Sequence, residues 1–151
     1  MRARRLLGGT EPIMVGLYPE GVGLKPDGLF IGAMFGAGTL KELRECLLAA
    51  EAEITGGAAA RISPFADAQD LAGLLQRAGF ALPVSDTDAR TVRYRHPARL
   101  LDDLRGMGET AALSMRPRRA LSRNVVARAM ELYAERFADP DGKVRATFNV
   151  I

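Results

Sequence analysis

The stretch Leu29-Phe-Ile-Gly-Ala-Met-Phe35, with Gly36-Ala-Gly38 and Thr39-Leu-Lys-Glu42 after it, decides the fold predicted for this chain. A continuous apolar run between turn signals is typical of a strand covered on both faces, as in a parallel sheet. The Leu24-Lys-Pro-Asp-Gly28 sequence before it predicts a tight turn, because proline presets φ and glycine accepts positive φ. Thr39 and Glu42 have the spacing of a capping box, so a helix is expected to begin there.

The remaining sequence alternates helical and strand patterns, which indicates an α/β fold. Apolar residues at helical spacing predict four helices: one ending at Gly56-Gly57, one from Asp67 to Gly79, one between Pro97 and Gly106-Met-Gly108, and one capped by Ser122. Alternation predicts strands at Phe80–Val84, around Val92 and Tyr94, and, after the turn Asp139-Pro-Asp-Gly142, from Val144 towards the end of the chain. Residues 1–23 have no clear periodicity and are interpreted as irregular, with a short strand at Ile13–Leu17.

Composition narrows the classes of protein and of site. The 151 residues suffice for one domain with a core, and no run approaches the roughly 20 apolar residues that span a membrane. The basic start has too short an apolar run for a signal peptide, so a cytoplasmic protein is expected. One cysteine, Cys46, and one histidine, His96, cannot form a Cys/His metal cluster, and we expect no metal site. Cys46 is interpreted as a core residue and His96 as a turn or helix-entry residue.

A glycine-rich turn could indicate phosphate binding and two arginine clusters could indicate nucleic-acid binding, and both features have simpler interpretations. Gly36-Ala-Gly38 stands before a predicted helix start, where free amides attract anions. No third glycine in register and no Lys-Ser/Thr follow it, so a plain strand-to-helix turn is favoured. The net charge is +3, with arginines at Arg2–Arg5 and Arg116–Arg119, but no aromatic residues are interleaved among them, so solvated arginines are favoured over a nucleic-acid surface.

A series of short sequences resembles class I S-adenosylmethionine-dependent methyltransferases. Leu24-Lys-Pro-Asp-Gly-Leu-Phe30 is similar to the "LKPGG" turn that leads into the fifth strand of those enzymes. The series continues with Gly32-Ala-Met-Phe-Gly36, Thr39-Leu-Lys-Glu-Leu-Arg44, Ile62-Ser-Pro-Phe65, Asp70-Leu71, Leu75-Gln-Arg-Ala-Gly-Phe80, Asp86-Thr-Asp88, Tyr94, Leu104-Arg-Gly-Met-Gly-Glu109, Tyr133, Asp141-Gly142 and Ala146-Thr-Phe148. It resembles the branch that contains the malonyl-carrier-protein O-methyltransferase of biotin synthesis and a methyltransferase-like assembly factor of respiratory complex I.

The resemblance covers residues 24–151 and implies the C-terminal half of a seven-stranded Rossmann-like sheet. It implies one parallel strand, an inserted helical region and a closing antiparallel pair. The family's acidic-Gly-x-Gly cofactor loop and its ribose-binding acidic residue belong to an N-terminal half, and neither is in this sequence. Residues 1–23 do not match the family, and the family's last strand runs on past Ile151. We therefore expect a truncated chain that does not bind S-adenosylmethionine alone.

Ligands of open α/β sheets bind outside the carboxyl ends of the strands, which places Met34, Phe35, Gly36 and Ala37 at the predicted crevice. The resemblance adds later residues that help to shape an acceptor pocket. The residues expected to line it are Met34, Phe35, Gly36, Arg44, Ser63, Phe65, Tyr94, Met107 and Glu109. Each has a structural alternative: core packing for Phe65, Tyr94 and Met107, a helix-entry turn for Ser63, and a surface charge for Arg44. No catalytic residue is assigned, because methyl transfer requires mainly positioning of the acceptor.

The function implied is methyl transfer to a small or carrier-bound acceptor. A relative in this branch is linked to arginine hydroxylation, so the reaction itself stays open. Two other functions compete: a non-catalytic interaction module or assembly factor, and a nucleic-acid binder. A half-sheet would leave the Leu29–Phe35 strand with an open apolar edge, so a homo-oligomer formed through that edge is expected.

Overall fold

The computed structural model describes residues 28–59, 61–62, 65–108 and 121–151. The elements in chain order are helix α1 (Lys41–Thr55), helix α2 (Ala68–Arg77), strand β1 (Asp88–Tyr94), helix α3 (Pro97–Gly106), helix α4 (Arg123–Phe137) and strand β2 (Val144–Val150). The predictions for residues 1–23, for most of the Leu24–Gly28 turn, for Ser63, for Glu109 and for Arg116–Arg119 lie outside the described residues.

Local capping sets the ends of most helices, as the sequence predicts. The Asp67 carboxylate accepts the Asp70 amide at the start of α2, and the Ser122 hydroxyl accepts the Val125 amide at the start of α4. His96 precedes Pro97 and accepts the Ala98 amide through Nδ1 at 3.2 Å, which confirms its interpretation as a helix-entry residue. Gly56 ends α1 with φ 71°, a left-handed conformation that glycine adopts without strain.

β2 lies between two neighbours. It pairs antiparallel with β1 from Asp88↔Val150 to Tyr94↔Val144, which confirms the predicted closing antiparallel pair. Val150 also forms an antiparallel bridge with Phe35. Met34 and Ile151 exchange both main-chain hydrogen bonds at 2.9 Å, and the Gly36 amide donates to the Asn149 carbonyl at 2.8 Å. Because β1 and Met34–Gly36 are both antiparallel to β2, they run in the same direction.

Two strand predictions are wrong. Residues 28–34 form no strand, and only Met34–Gly36 pair with β2. A strand exists only beside a neighbour, and none of the described residues lies alongside residues 28–33. The predicted strand at Phe80–Val84 is also absent, because the Phe80 amide donates back to the Leu75 carbonyl and the chain beyond it leads into solvent.

The capping box predicted from Thr39 and Glu42 is wrong as well, because both side chains bind β2 instead. The Thr39 hydroxyl donates to the Asn149 carbonyl and accepts the Asn149 amide, both at 3.0 Å. The Glu42 carboxylate accepts the Thr147 amide at 3.1 Å and the Thr147 hydroxyl. The N-cap of α1 is Leu40, at φ 55° and without a side-chain cap. Thr39 and Glu42 thereby satisfy the Asn149 and Thr147 amides on the edge of β2, which Met34–Gly36 do not reach.

The main core lies between α1, α4 and one face of the sheet, and α3 closes its end. Its buried members are Leu40, Leu43, Cys46, Leu47, Ala50, Tyr94, Leu100, Leu104, Val125, Ala129, Leu132, Tyr133, Val144, Ala146 and Phe148. Cys46 is completely buried, as predicted, and burial raises the pKa of its thiol to about 11. The Tyr133 hydroxyl donates to the Arg145 carbonyl at 2.9 Å, so this buried phenol is satisfied.

An ion pair ties the last turn of α1 to the segment after it. Glu51 is 6% exposed, and its carboxylate accepts the Ala59 amide at 3.0 Å as well as the Arg61 guanidinium. The hydrogen bond from Arg61 lowers the pKa of Glu51, against the opposing effect of burial. The pair therefore fixes Ala59 and Arg61 against the C-terminal end of α1.

We expect the Glu42–Thr147 contact to be worth a measurable part of the folding free energy. Thr147→Val removes a hydroxyl that donates to a buried carboxylate, which should cost about 1–3 kcal/mol in urea unfolding. Thr91→Val is the control, because Thr91 pairs with Thr147 across the sheet but is exposed; it should change stability by less than about 0.5 kcal/mol. Glu42→Gln combined with Thr147→Val should be non-additive by about 0.5–3 kcal/mol. Additive effects would mean that Glu42 acts within its own helix.

We expect the stabilisation by Glu51 to depend on pH. Its folded pKa lies below the ordinary 4.5, so the carboxylate stabilises the fold above that pH and loses this effect as pH falls through the lowered pKa. Glu51→Gln should cost about 1–3 kcal/mol at pH 7, and the gap from wild type should close towards pH 3. Glu53→Gln, at an exposed ion pair with Arg128, should show a smaller gap. A gap for Glu51→Gln that is constant from pH 7 to pH 3 would contradict this.

Candidate functional site

Three of the predicted site residues meet in one open depression of about 520 Å³, which we call the apolar depression. It is lined by Ala33, Met34, Phe35, Phe65 and Val150. The rings of Phe35 and Phe65 stand edge to face with their centroids 6.4 Å apart. Phe35 also packs against the core residue Phe148 at 5.6 Å, so the wall of the depression is anchored in the main core.

Main-chain contacts hold the two sides of the apolar depression together. Met34–Gly36 are fixed by their pairing with the end of β2. The next amide, that of Ala37, donates to the Ala66 carbonyl at 2.9 Å, which places Phe65 beside this segment. The depression is therefore assembled from three parts of the chain that are distant in sequence.

Gly36 belongs to this region through packing and does not itself line the depression. It is buried, and a Cβ atom at this position would lie 2.9 Å from Cγ2 of Ile151. Glycine is needed here because it lets the side chain of Ile151 approach the main chain closely. Gly36 was predicted to contact the acceptor, and in the structure it packs against Ile151 beside the depression.

The chemistry of the apolar depression is that of a binding surface. The five residues that line it carry only aliphatic, thioether or phenyl side chains. Such a surface can bury an apolar group of a ligand and exclude water from one side of it. It offers no side chain that could transfer a proton, so it holds no catalytic acid or base among the described residues.

Arg44 lies in a different place from the one expected. It lines a smaller depression of about 110 Å³ on α1, with Leu47, Leu48, Ala59, Arg61 and Ile62. Arg44 is on the first turns of α1, and Arg61 is held there by Glu51. The structure therefore does not bring Arg44 together with Met34 and Phe35, because the two depressions have separate linings.

Tyr94 and Met107 do not line the apolar depression either. Tyr94 is a buried core residue at the end of β1; burial, helped by a hydrogen bond with Asp103, raises the pKa of its phenol to about 12. Its hydroxyl is therefore protonated at neutral pH, and its position in the core fits the structural alternative given for it. Met107 caps the C-terminal end of α3 and is half exposed. Glu109 lies outside the described residues, so its predicted role stays a prediction.

Sequence reasoning missed Ala33 and Val150 as lining residues. The signal for Val150 was present, because alternation along β2 puts Val150 on the same face as Phe148 and Ala146. Its contact with Phe35 depends on pairing between segments that are far apart in sequence, which local sequence patterns do not predict.

Within the ranges that the structure describes, no group of three or more His, Cys, Asp or Glu residues could hold a metal ion. No helix there is long and apolar enough to cross a membrane.

Comparisons with known proteins identify relatives for most of the chain, although no family model matches it. The chain is 45% identical over 127 residues to the mouse protein named arginine-hydroxylase NDUFAF5, mitochondrial, a match that covers 84% of this chain and 37% of the relative. The human protein of that name is 46% identical over 127 residues, covering 84% of this chain and 36% of the relative.

A second group of relatives carries the name of a methyltransferase. The malonyl-[acyl-carrier protein] O-methyltransferase of Halorhodospira halophila is 38% identical over 126 residues, covering 83% of this chain and 41% of that enzyme. The chain thus spans about two fifths of the length of the curated relatives that it matches. Its similarity to both groups confirms the resemblance drawn from its motifs, which is to part of the methyltransferase family that contains the malonyl-[acyl-carrier protein] O-methyltransferases and the methyltransferase-like NDUFAF5 proteins.

Proposed function

We propose that this chain supplies the acceptor-binding side of an S-adenosylmethionine-dependent methyltransferase and that the apolar depression receives the acceptor. The observation that carries the proposal is the meeting of Met34, Phe35 and Phe65 in one depression. Phe65 comes from a different segment of the chain from Met34 and Phe35. The strand-end rule selected Met34 and Phe35 as acceptor contacts, and the family resemblance added Phe65. A relative at 38% identity is named an O-methyltransferase, which supports methyl transfer as the reaction of the whole protein.

The proposed division of labour follows from the chemistry of the lining. Binding of a nucleoside cofactor requires a carboxylate for the ribose hydroxyls and main-chain amides for its polar end. The apolar depression is lined only by apolar side chains, so the described residues there do not fit the cofactor. Residues 24–151, which carry the family resemblance, are therefore proposed to bind the acceptor. Residues 1–23 are assigned no role in this proposal.

Positioning is the contribution that such a surface makes to the reaction. Apolar walls on one side of the acceptor reduce its freedom to rotate and exclude water near the reacting group. An acceptor that is already a carboxylate needs no general base. The described residues that line the apolar depression include no titratable side chain, which is consistent with that kind of acceptor.

The acceptor class proposed is a short acyl group, free or presented by a carrier protein. The apolar depression is open on one side, which suits a group delivered at the end of a flexible arm. The name of the Halorhodospira halophila relative supports a carrier-bound acceptor. Soluble cytoplasmic location stays a prediction, and the NDUFAF5 relatives carry "mitochondrial" in their names.

The second candidate is action on an arginine side chain or a role in assembly without catalysis. It is favoured by the 45% identity to a protein named an arginine hydroxylase, which exceeds the 38% identity to the methyltransferase. The charge of the bound group distinguishes the two candidates, because an arginine side chain is a cation and a malonyl group carries a carboxylate. Two phenyl rings attract a guanidinium through their faces, whereas they offer a carboxylate nothing beyond apolar contact with its acyl chain.

Acceptor binding tests the proposal directly. A malonyl thioester and an arginine-containing peptide should be titrated separately into the chain, with binding followed by NMR. We expect the thioester to bind and Phe65→Ala to weaken it about 5–30-fold, since the removed ring contributes about 1–2 kcal/mol of apolar contact. Val92→Ala, a half-exposed strand residue, is the matched control and should leave binding unchanged. If the peptide binds and the thioester does not, the second candidate is supported. If Phe65→Ala leaves thioester binding unchanged, the apolar depression is not the acceptor site.

The cofactor gives a second test. Isothermal titration of the chain alone with S-adenosylmethionine or S-adenosylhomocysteine should show no micromolar binding, because losing the ribose hydrogen bonds removes several kcal/mol and each 1.4 kcal/mol is about tenfold in affinity. Gly36→Val alters the Gly36-Ala-Gly38 turn that stands directly before α1, and Gly73→Ala in α2 is the control, since a Cβ there meets nothing within 4 Å. Micromolar binding that is lost in the first variant and kept in the second would show that the chain holds the cofactor itself.

A further inference from the structure

Asn149, near the end of β2, is hydrogen-bonded to the 36–39 turn that leads from the apolar depression into α1. The Gly36 amide donates to the Asn149 carbonyl at 2.8 Å. The Thr39 hydroxyl donates to that carbonyl and accepts the Asn149 amide, both at 3.0 Å. The side-chain amide of Asn149 donates to the Ala37 carbonyl at 2.6 Å. Asn149 therefore binds the turn through its main chain and also through its side chain.

The side chain of Asn149 fits closely against the turn. A Cβ atom at Gly38 would lie 2.7 Å from Nδ2 of Asn149. Gly38 also has φ 84°, a conformation that residues with a side chain rarely adopt. The side-chain amide of Asn149 thus occupies the space that a side chain at Gly38 would need, and the turn and Asn149 are matched in shape.

Ala37 connects Asn149 to the wall of the apolar depression. Its carbonyl accepts the Asn149 side chain, and its own amide donates to the Ala66 carbonyl at 2.9 Å. Within the described ranges, this is the one main-chain hydrogen bond between the turn and the segment that carries Phe65. Because Ala66 follows Phe65 directly, the bond sets where the Phe65 ring stands against Phe35.

The hydrogen bond from the Asn149 side chain lies at the surface, so its loss should affect orientation more than stability. Ala37 is exposed, and water can replace Asn149 as the partner of its carbonyl. The contact of Glu42 with Thr147 differs, because it involves a buried carboxylate. Water does not hold the Ala37 carbonyl in one direction relative to β2, whereas a side chain anchored on that strand does.

We propose that Asn149 is a positioning residue for the acceptor site: its side-chain amide fixes the main chain of Ala37, which in turn fixes the Phe65 ring. The inference rests on the proposed function, because it takes Phe65 to contact the acceptor. Asn149 is not among the described residues that line the apolar depression, so its effect reaches the acceptor through Phe65. A ring that is held in place before the acceptor arrives loses less freedom on binding.

The test removes the side-chain donor of Asn149. Asn149→Leu keeps nearly the same size and adds no charge, and Asn149→Ala leaves the space empty. Each should weaken binding of the malonyl thioester about 3–10-fold in the NMR titration, as expected for the loss of one hydrogen bond that orders the site. Without ligand, each should also weaken the nuclear Overhauser effect between the Phe35 and Phe65 rings, whose centroids lie 6.4 Å apart.

A double variant separates positioning from other roles. If Asn149 acts through the Phe65 ring, Asn149→Leu should weaken binding no further once Phe65→Ala has removed that ring. Thr147→Val is the matched control, because Thr147 lies two positions away on the same strand and its side chain binds Glu42. It should lower the temperature of unfolding and leave the affinity for the thioester unchanged.

Additive losses of affinity in the double variant, or an unchanged contact between the two rings in Asn149→Leu, would overturn the positioning role. An equal loss of affinity in Thr147→Val would also overturn it, because general weakening of the sheet would then explain the effect. Failure of the proposed function looks different: the thioester does not bind, or its binding is indifferent to Phe65→Ala. The contact between the rings without ligand then still decides whether Asn149 positions Phe65.

Discussion

The structure depends on how the edge of β2 that faces away from β1 is satisfied. Main-chain groups of Met34 and Gly36 pair with the last residues of the chain on this edge. The side chains of Thr39 and Glu42 accept the amides of Asn149 and Thr147. Unpaired amides and carbonyls buried at this point would each cost on the order of 1–3 kcal/mol. One short segment of the chain therefore fixes the end of the sheet, the start of α1 and the position of Phe35.

This arrangement also explains why α1 begins without a side-chain cap. Thr39 and Glu42 have the spacing to satisfy the first amides of their own helix, which have no partner within the helix. They bind the edge of β2 instead, which lies under α1 and against the core. The side chains are used where desolvation makes an unpaired group most costly.

The same constraint places the candidate site at a boundary. On one side of the apolar depression, Phe35 is locked into the core through Phe148 and β2. On the other side, the chain leaves the sheet and residues 28–33 expose their apolar side chains. An acceptor surface at the margin of a rigid core is preorganised on the wall that Phe35 forms, because that ring is fixed by the core beneath it.

The sequence by itself determined the features that depend on contacts within a few residues. Asp67, Pro97 and Ser122 predict helix starts, and Gly56 a helix end, because each acts on main-chain groups one to four positions away. Alternation predicted β1 and β2, and the series of short motifs identified the family. Only the tertiary structure decided what Thr39 and Glu42 bind, since their partners on β2 lie 110 and 105 positions away. It also decided that no residue in the described part of the chain pairs with residues 28–33. It placed Arg44 and Phe35 in separate depressions, and it brought Phe65 and Val150 to the apolar depression. An apolar pattern states that a residue can be buried, but its partner depends on which distant segment satisfies the remaining hydrogen bonds of the sheet.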